Sequence, residues 1–323
     1  MKAIISIFSN IQCVANNHSG LEATYLSNKY DLYYIGKKGR TNKHEPKYLD
    51  ISDVDLNKFD KILLSLSTAN FFGGVIGEDV IEKINKLSNY KNKIAILCND
   101  PRIKPFNAAK AVNDRWPIIS DDNVRKFDQL LSRATYLFPG KDLNKFYNDT
   151  IYNEFTYFDY FKGIFKNKIS DPQVVQAFKQ YDVVYYGDRR GSYRESQLRK
   201  YMPISDNNLF IGYKSTKINI PFIKKQKHHD LMQTLNQCKV SLVLGDKEHE
   251  NNVVTFRFYE TLSSNCLAAI PIEYDPNKEL IQDEVLKNLL YVKSQKDVLN
   301  LVNNYSDELI KRQHNEYRRI ISI

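Results

Sequence analysis

The sequence predicts an α/β protein built as two Rossmann-like domains. Three observations carry that expectation. Short apolar runs rich in Ile, Leu, Val and Tyr alternate with segments of helical period, as in parallel sheets whose strands are joined by crossover helices. The length of 323 residues exceeds one ordinary core and fits two domains of about 150 residues each. The alternation also stops near the middle of the chain and then resumes.

In the first half, strands are expected over residues 2–8, 31–35, 61–67, 93–98 and 134–138. Helices are expected between them, over 21–30, 77–90 and 121–134. In the second of these, Val80, Ile81, Ile84 and Leu87 share one face; in the third, Val124, Phe127, Leu130 and Leu131 do, behind an acidic start that suits a helix N-terminus. In the second half, strands are expected over 182–187, 209–212, 240–245, 267–272 and 290–292. Helices fit 194–202, 230–237, 255–264 and 277–289, with a last one over 297–304 or further. The stretch 148–173 is aromatic without clean periodicity, and Gly163, Lys166, Asn167, Lys168 and Pro172 break it. The boundary is therefore placed in 162–171. This gives domains at 1–165 and 166–300, with 301–323 as a C-terminal helix able to pack back on the first domain.

Composition narrows the function classes. Apolar residues make up 42% and charged residues 26%, an ordinary globular balance. The net charge is +9, and it is concentrated. Between Pro101 and Lys227, Lys and Arg outnumber Asp and Glu 23 to 13. A basic block of that kind favours a polyanionic partner or a phosphorylated ligand, against the plainer reading of a solvated lysine-rich face. Cys13, Cys98, Cys238 and Cys266 have no metal-ligand spacing and read as buried thiols in a reducing compartment. The six histidines form no zinc pattern. "MKAIISIFSN" reads as a first strand rather than a signal peptide, and no run approaches the ~20 apolar residues that span a membrane.

The chemistry-bearing residues cluster after strands. "VVYYGDRRGSYRESQL" runs from a strand through Gly187, Asp188 and Arg190 into a helix bearing Arg194. Such a glycine-containing turn can hold phosphate, and arginines at it can grip either a nucleotide or a nucleic-acid backbone. A second strand leads to Asp246 and then to "VVTFRFYETL", where Arg257 and Glu260 stand three apart and so share a helix face. Both loops belong at the carboxyl edge of one sheet, where α/β proteins bind ligands. Arginines and one carboxylate there suit a nucleoside diphosphate, with arginine forks on phosphate and Glu260 on ribose hydroxyls. The alternative for Arg257 and Glu260 is an ordinary i,i+3 ion pair. In the first half, "STANFFGG" places Phe72 beside glycines, either as a base-stacking wedge or packed inward. Asp100 in "CNDPRIKPF" stands at a strand end, as a cleft carboxylate or a turn former.

Together the segments "GLEATYL", "STANFFGG", "KIAILCNDPRI", "DRWPI", "DVVYYGDRRGSYRES" and "VLGDKEHENNVVTFRFYETLSS" resemble, in order and spacing, the bacteriophage DNA β-glucosyltransferase family. The resemblance implies a glycosyltransferase-B fold with a cleft between its two domains. It implies transfer of glucose from UDP-glucose to 5-hydroxymethylcytosine in duplex DNA, with inversion. It aligns Asp100 with the general base and Glu22 with a carboxylate near the sugar. Asn70, Phe72 and Arg115 fall where the family meets the flipped base and its DNA. Gly187, Arg190, Arg194 and Arg257 align with the UDP site, Glu260 with the ribose ligand and Asp246 with the donor's surroundings. The implied donor is a UDP-sugar, UDP-glucose first, with Mg²⁺ or Mn²⁺ as a candidate ion. The implied partner is double-stranded DNA carrying a hydroxymethylated pyrimidine, and the implied setting is a monomer in the cytoplasm of the infected host, away from membranes. Asp188 departs from the family's serine, which leaves open another UDP-sugar such as a pentose, or 5-hydroxymethyluracil as acceptor. A non-catalytic DNA-binding protein on the same fold is the alternative of another class.

Overall fold

The computed structural model describes residues 1–6, 29–36, 48–50, 53–65, 94–97, 135–137, 171–187, 191–212, 221–224, 226, 228–245 and 255–321. The chain divides into two compact units, Met1–Asn167 and Lys168–Ile323.

The first unit holds six parallel strands: β1 (Lys2–Ser6), β2 (Asp31–Gly36), β3 (Tyr48–Asp50), β4 (Lys61–Ser65), β5 (Ile94–Leu97) and β6 (Thr135–Leu137). Their order is β3-β2-β1-β4-β5-β6, so the sequence of strands reverses between β1 and β4. In an open parallel sheet that reversal opens a crevice at the carboxyl ends. Ala3, Leu32, Ile62 and Leu63 are buried along its centre. A single 3-10 turn (Leu56–Lys58) leads into β4; Asp55 caps it by accepting from the Asn57 amide at 3.0 Å. The Asp60 side chain then accepts from the amide of Lys2 at 2.8 Å, fixing the start of β4 beside that of β1. The helices expected over 77–90 and 121–134 lie outside the described residues, as does most of 21–30, whose last two residues form a turn before β2.

The second unit repeats the plan. Its strands are β7 (Tyr181–Gly187), β8 (Leu209–Gly212), β9 (Phe222–Lys224), β10 (Cys238–Leu242), β11 (Leu267–Pro271) and β12 (Tyr291–Val292). Their order, β12-β11-β10-β7-β8-β9, puts the same reversal between β7 and β10, and every neighbouring pair is parallel. The central strands are largely apolar and buried, as expected of a parallel sheet covered on both faces. The helices are α1 (Gly191–Tyr201), α2 (His228–Asn236), α3 (Phe256–Leu262), α4 (Glu284–Leu290), α5 (Gln295–Asn303) and α6 (Asp307–Ile321).

Several expected boundaries shift for identifiable reasons. The strand expected over 240–245 ends at Leu242, because the carbonyls of Leu244 and Gly245 are taken by side-chain donors instead of the ladder. The helix expected over 277–289 is only Glu284–Leu290. Lys278 adopts φ +52°, and the buried Asp275 carboxylate accepts from the amides of Glu279 and Leu280 at 3.0 and 2.8 Å. Those bonds compete with a helical backbone. The helix starts only after Asp283, which caps the amide of Leu286 at 3.0 Å. Strands β3 and β9 are absent from the sequence reading. Each is a three-residue edge strand that ends on a charged residue, Asp50 or Lys224, so neither leaves an apolar run like the one that marks the equally short edge strand β6.

The expected last helix is two helices, α5 and α6, and α6 is part of the second unit's own core. It buries Leu309, Ile310, Gln313, Tyr317, Ile320 and Ile321. Asp307 and Glu308 lie in its first turn and Arg318 and Arg319 in its last, matching the helix dipole. Gln313 is fully buried. Its Oε1 accepts from the Ala268 amide at 2.8 Å, and its Nε2 donates toward the carbonyls of Thr261, Leu262 and Cys266. Those carbonyls lie at the end of α3 and the entry to β11, so one amide side chain ties the helix terminus, where carbonyls lack intrahelical donors, to the strand that follows. The extended segment 171–180 is fastened to the same unit: the Val175 amide donates to Asn265 Oδ1 at 2.8 Å, and Lys179 Nζ donates to the carbonyls of Asn236 and Asn265, each at 2.7 Å. Cys238 and Cys266 are buried free thiols, and burial pushes both well up from the ordinary thiol range. Both are buried thiols, as expected from the sequence, and burial of this kind makes them inert; Cys13 and Cys98 lie outside the described residues.

Candidate functional site

The carboxyl ends of β7 and β10 flank the point where strand order reverses in the second unit, and two arginines are fixed there. Arg194 stands in the first turn of α1, a helix end with no acidic residue. A cation is unfavourable at that end of the dipole unless something else holds it. Arg194 is 5% exposed; its Nε donates to the Gly245 carbonyl at 2.9 Å and its Nη1 to the Tyr185 hydroxyl at 2.6 Å. Arg257, near the start of α3, donates from Nε to the Tyr186 carbonyl at 2.8 Å and from Nη1 to the Leu244 carbonyl. Its guanidinium also lies 5.2 and 5.1 Å from the ring centroids of Tyr185 and Tyr186, within cation–π range.

The two arginines come from opposite faces of the sheet. Successive side chains of a strand alternate between faces. Tyr185 reaches α1 through Arg194, whereas Tyr186 reaches α3: its hydroxyl lies 3.2 Å from the Arg257 carbonyl, 3.1 Å from Glu260 Oε2 and 3.3 Å from Thr261 Oγ1. Burial, then the Glu260 carboxylate, hold the Tyr186 phenol far above its ordinary pKa, so it stays protonated and can donate to Glu260. Arg257 therefore directs its Nε and Nη1 to main-chain carbonyls rather than to Glu260. Tyr274 adds a third donor at this edge, giving its hydroxyl proton to Gly245 O at 2.9 Å; burial raises its pKa to about 12.

Gly187 is required by this geometry. Its φ is +134°, and a Cβ there would collide with Arg257 Nη2 and press on the Tyr185 hydroxyl. Gly212, its partner on β8, is constrained by Gly187 in turn: a Cβ at Gly212 would run into the Gly187 carbonyl. Two glycines thus let β7 and β8 end close together beneath the Arg257 guanidinium.

Of the site residues expected from the sequence, Gly187, Arg194, Arg257 and Glu260 are brought together at this edge. Asp188, Arg190 and Asp246 lie outside the described residues, as do Glu22, Asn70, Phe72, Asp100 and Arg115. The sequence reading misses Tyr185, Tyr186 and Tyr274, because a tyrosine in an apolar run looks like core. The available signal is that a buried tyrosine hydroxyl needs a partner. Among the described residues no group of three His, Cys, Asp or Glu side chains is placed to hold a metal ion.

A DNA beta-glucosyltransferase of Enterobacteria phage T4 is 26% identical to the chain over 279 residues, covering 80% of this chain and 77% of that protein. Over that length the chain resembles a DNA β-glucosyltransferase. It is a glycosyltransferase of the glycosyltransferase-B fold. Solved structures agree on the fold. T4 phage BGT in complex with its UDP-glucose substrate matches with a TM-score of 0.72 at 20% identity, covering 100% of this chain and 94% of that one. T4 phage BGT with UDP and Mn²⁺ gives 0.69 at 23% identity, with 100% and 95% covered. An alpha-glucosyltransferase in complex with UDP and a 13-mer DNA containing a HMU base gives 0.58 at 9% identity, with 99% and 95% covered. No protein-family model matches the chain.

Proposed function

We propose that the chain is a DNA β-glucosyltransferase that transfers glucose from UDP-glucose to the hydroxymethyl group of 5-hydroxymethylcytosine in duplex DNA, inverting the anomeric carbon. The observation that carries the reading is the pair Arg194 and Arg257, fixed by main-chain carbonyls at the carboxyl edge of β7 and β10, with the Tyr186-bound Glu260 beside them. The second domain binds the donor: Arg190, Arg194 and Arg257 face the diphosphate, Glu260 the ribose, and Gly187, Asp188 and Asp246 line the remainder. The first domain binds DNA, with Asn70, Phe72 and Arg115 around an extruded base, since the target is unreachable inside a duplex. The basic block between Pro101 and Lys227 supplies phosphate contacts.

A primary alcohol is too weak an acid to attack unaided at neutral pH. Asp100 accepts its proton as the oxygen bonds to the anomeric carbon. The bond from that carbon to the β-phosphate oxygen breaks, and the electron pair leaves with UDP. Glu22 stabilises the oxocarbenium character that develops on the sugar, and the arginines stabilise the charge growing on the β-phosphate. A divalent cation, when bound, would supply further positive charge against the negative charge growing on the leaving diphosphate. The enzyme acts as a monomer in the infected cell's cytoplasm; among the described residues no helix is long and apolar enough to cross a membrane.

The test is to incubate the protein with hydroxymethylated duplex, UDP-glucose and Mg²⁺ or Mn²⁺, digest to nucleosides and weigh them. A hexose mass gain on hydroxymethylcytosine is expected. No gain with any UDP-sugar would overturn the reading. A pentose donor and a hydroxymethyluracil duplex in parallel separate the alternatives that Asp188 raises. Asp100→Ala is expected to abolish transfer while UDP binding, read by calorimetry, survives.

A further inference from the structure

Both arginines of the edge converge on one side chain. Tyr185 is fully buried. Its hydroxyl accepts from Arg194 Nη1 at 2.6 Å, and its ring lies 5.2 Å beneath the Arg257 guanidinium. The ring is itself braced. Tyr185 pairs with Phe210 on β8, which pairs with Phe222 on β9, and the centroids are 5.3 Å apart for the first pair and 6.2 Å for the second. A row of aromatics on one face of three adjacent strands therefore fixes the ring that carries both cations.

We infer that Tyr185 is the positioning residue of the donor site: it sets the spacing of Arg194 and Arg257 before a diphosphate arrives. The inference rests on the donor reading of this edge. Two guanidiniums near one another repel, and each long side chain has many rotamers to lose on binding. A shared buried partner removes that freedom during folding, so the site meets a diphosphate pre-organised. The hydroxyl and the ring act on different arginines, so they can be separated by mutation.

The experiment measures UDP affinity by calorimetry in the wild type, Tyr185→Phe, Arg194→Ala and the double variant. Tyr185→Phe keeps the ring beneath Arg257 and removes the acceptor for Arg194; it is expected to weaken UDP binding about tenfold. In the Arg194→Ala background the same change is expected to add less than about twofold, since the bond it removes is already gone. Arg194→Lys, which keeps the charge but loses the fork, is expected to reproduce most of the single-variant loss and covers the case of a poorly folding Tyr185→Phe. A merely structural Tyr185 gives additive losses, and that result overturns the inference. Wild-type affinity in Tyr185→Phe overturns it too. If the wild type itself binds no UDP, the donor reading falls and takes this inference with it; if the wild type binds and the cycle is additive, only the inference falls.

Discussion

Arg194 and Tyr274 donate to the same acceptor, the carbonyl oxygen of Gly245, each at 2.9 Å. A carbonyl has two lone pairs, so both bonds can exist at once. The oxygen is thereby drawn out of the β10 ladder and fixed at the sheet edge. Tyr274→Phe removes one of the two donors and leaves Gly245 O still partnered. The expected cost is about 1 kcal/mol in urea unfolding, with UDP affinity changed less than by Tyr185→Phe. A larger loss of affinity in Tyr274→Phe would mean that Gly245, rather than Tyr185, governs where Arg194 points.

Gly187→Ala meets two obstacles at one position, a φ of +134° and the Arg257 guanidinium in the space of the new methyl. Backbone strain of this kind costs about 1–3 kcal/mol, and displacement of Arg257 adds to it. UDP binding is expected to fall more than tenfold, with the urea midpoint lowered. Near wild-type binding in this variant would show that Arg257 can vacate its place without consequence.

Gln313 stands far along the chain from the arginines, yet it ties the end of α3, which carries Arg257 and Glu260, to β11. Gln313→Leu is nearly isosteric and leaves the buried Ala268 amide without its acceptor. The expected destabilisation is about 2–3 kcal/mol, and Gln313→Glu, which cannot donate to the three carbonyls when ionised, is expected to be worse. Unfolding curves of both variants decide the order; equal stability of the two would point to packing rather than hydrogen bonding at this position.

Acid should loosen the second unit in two stages. His314 is buried, with Nε2 2.9 Å from the Ser264 carbonyl and with Arg318 and Asp171 as its charged neighbours. Burial lowers its pKa, so the folded state holds fewer protons than the unfolded state, and stability falls as pH drops below the unfolded value of about 6.5. For Glu273, burial is outweighed by bonds from Lys200 and Tyr201; for Asp283, it is outweighed by the Leu286 amide and Arg312. Both carboxyls are held below their ordinary range. Their contribution is present above about pH 4 and is lost as pH falls further. Urea midpoints at pH 7.5, 5 and 3 should decline in that order, and His314→Gln should flatten the step between the first two.

Much of the fold was legible because parallel strands buried on both faces leave apolar runs. All ten strands expected from the runs have counterparts in the two sheets. The edge strands β3 and β9, whose apolar runs stop at Asp50 and Lys224, left no such trace, and the break at Lys278 depended on the side chain of Asp275, which no periodicity encodes. At the candidate site, Arg194, Arg257 and Glu260 stand out in the sequence by residue type and spacing after a strand. Their tyrosine partners could not, since the same letters in β7 serve as core on one side of the ring and as hydrogen-bonding groups at its tip.

The acceptors that orient Arg257, and one of the two that orient Arg194, are peptide oxygens at positions 186, 244 and 245. Every amino acid supplies such an oxygen, so the docking points for these cations are properties of the chain's path. Selection can exchange side chains at such positions and still retain the docking points of the two guanidiniums, provided the turn keeps its shape and Gly187 stays small. A scaffold of that kind accommodates extensive sequence drift, and the 26% identity to the T4 phage relative is within what it permits.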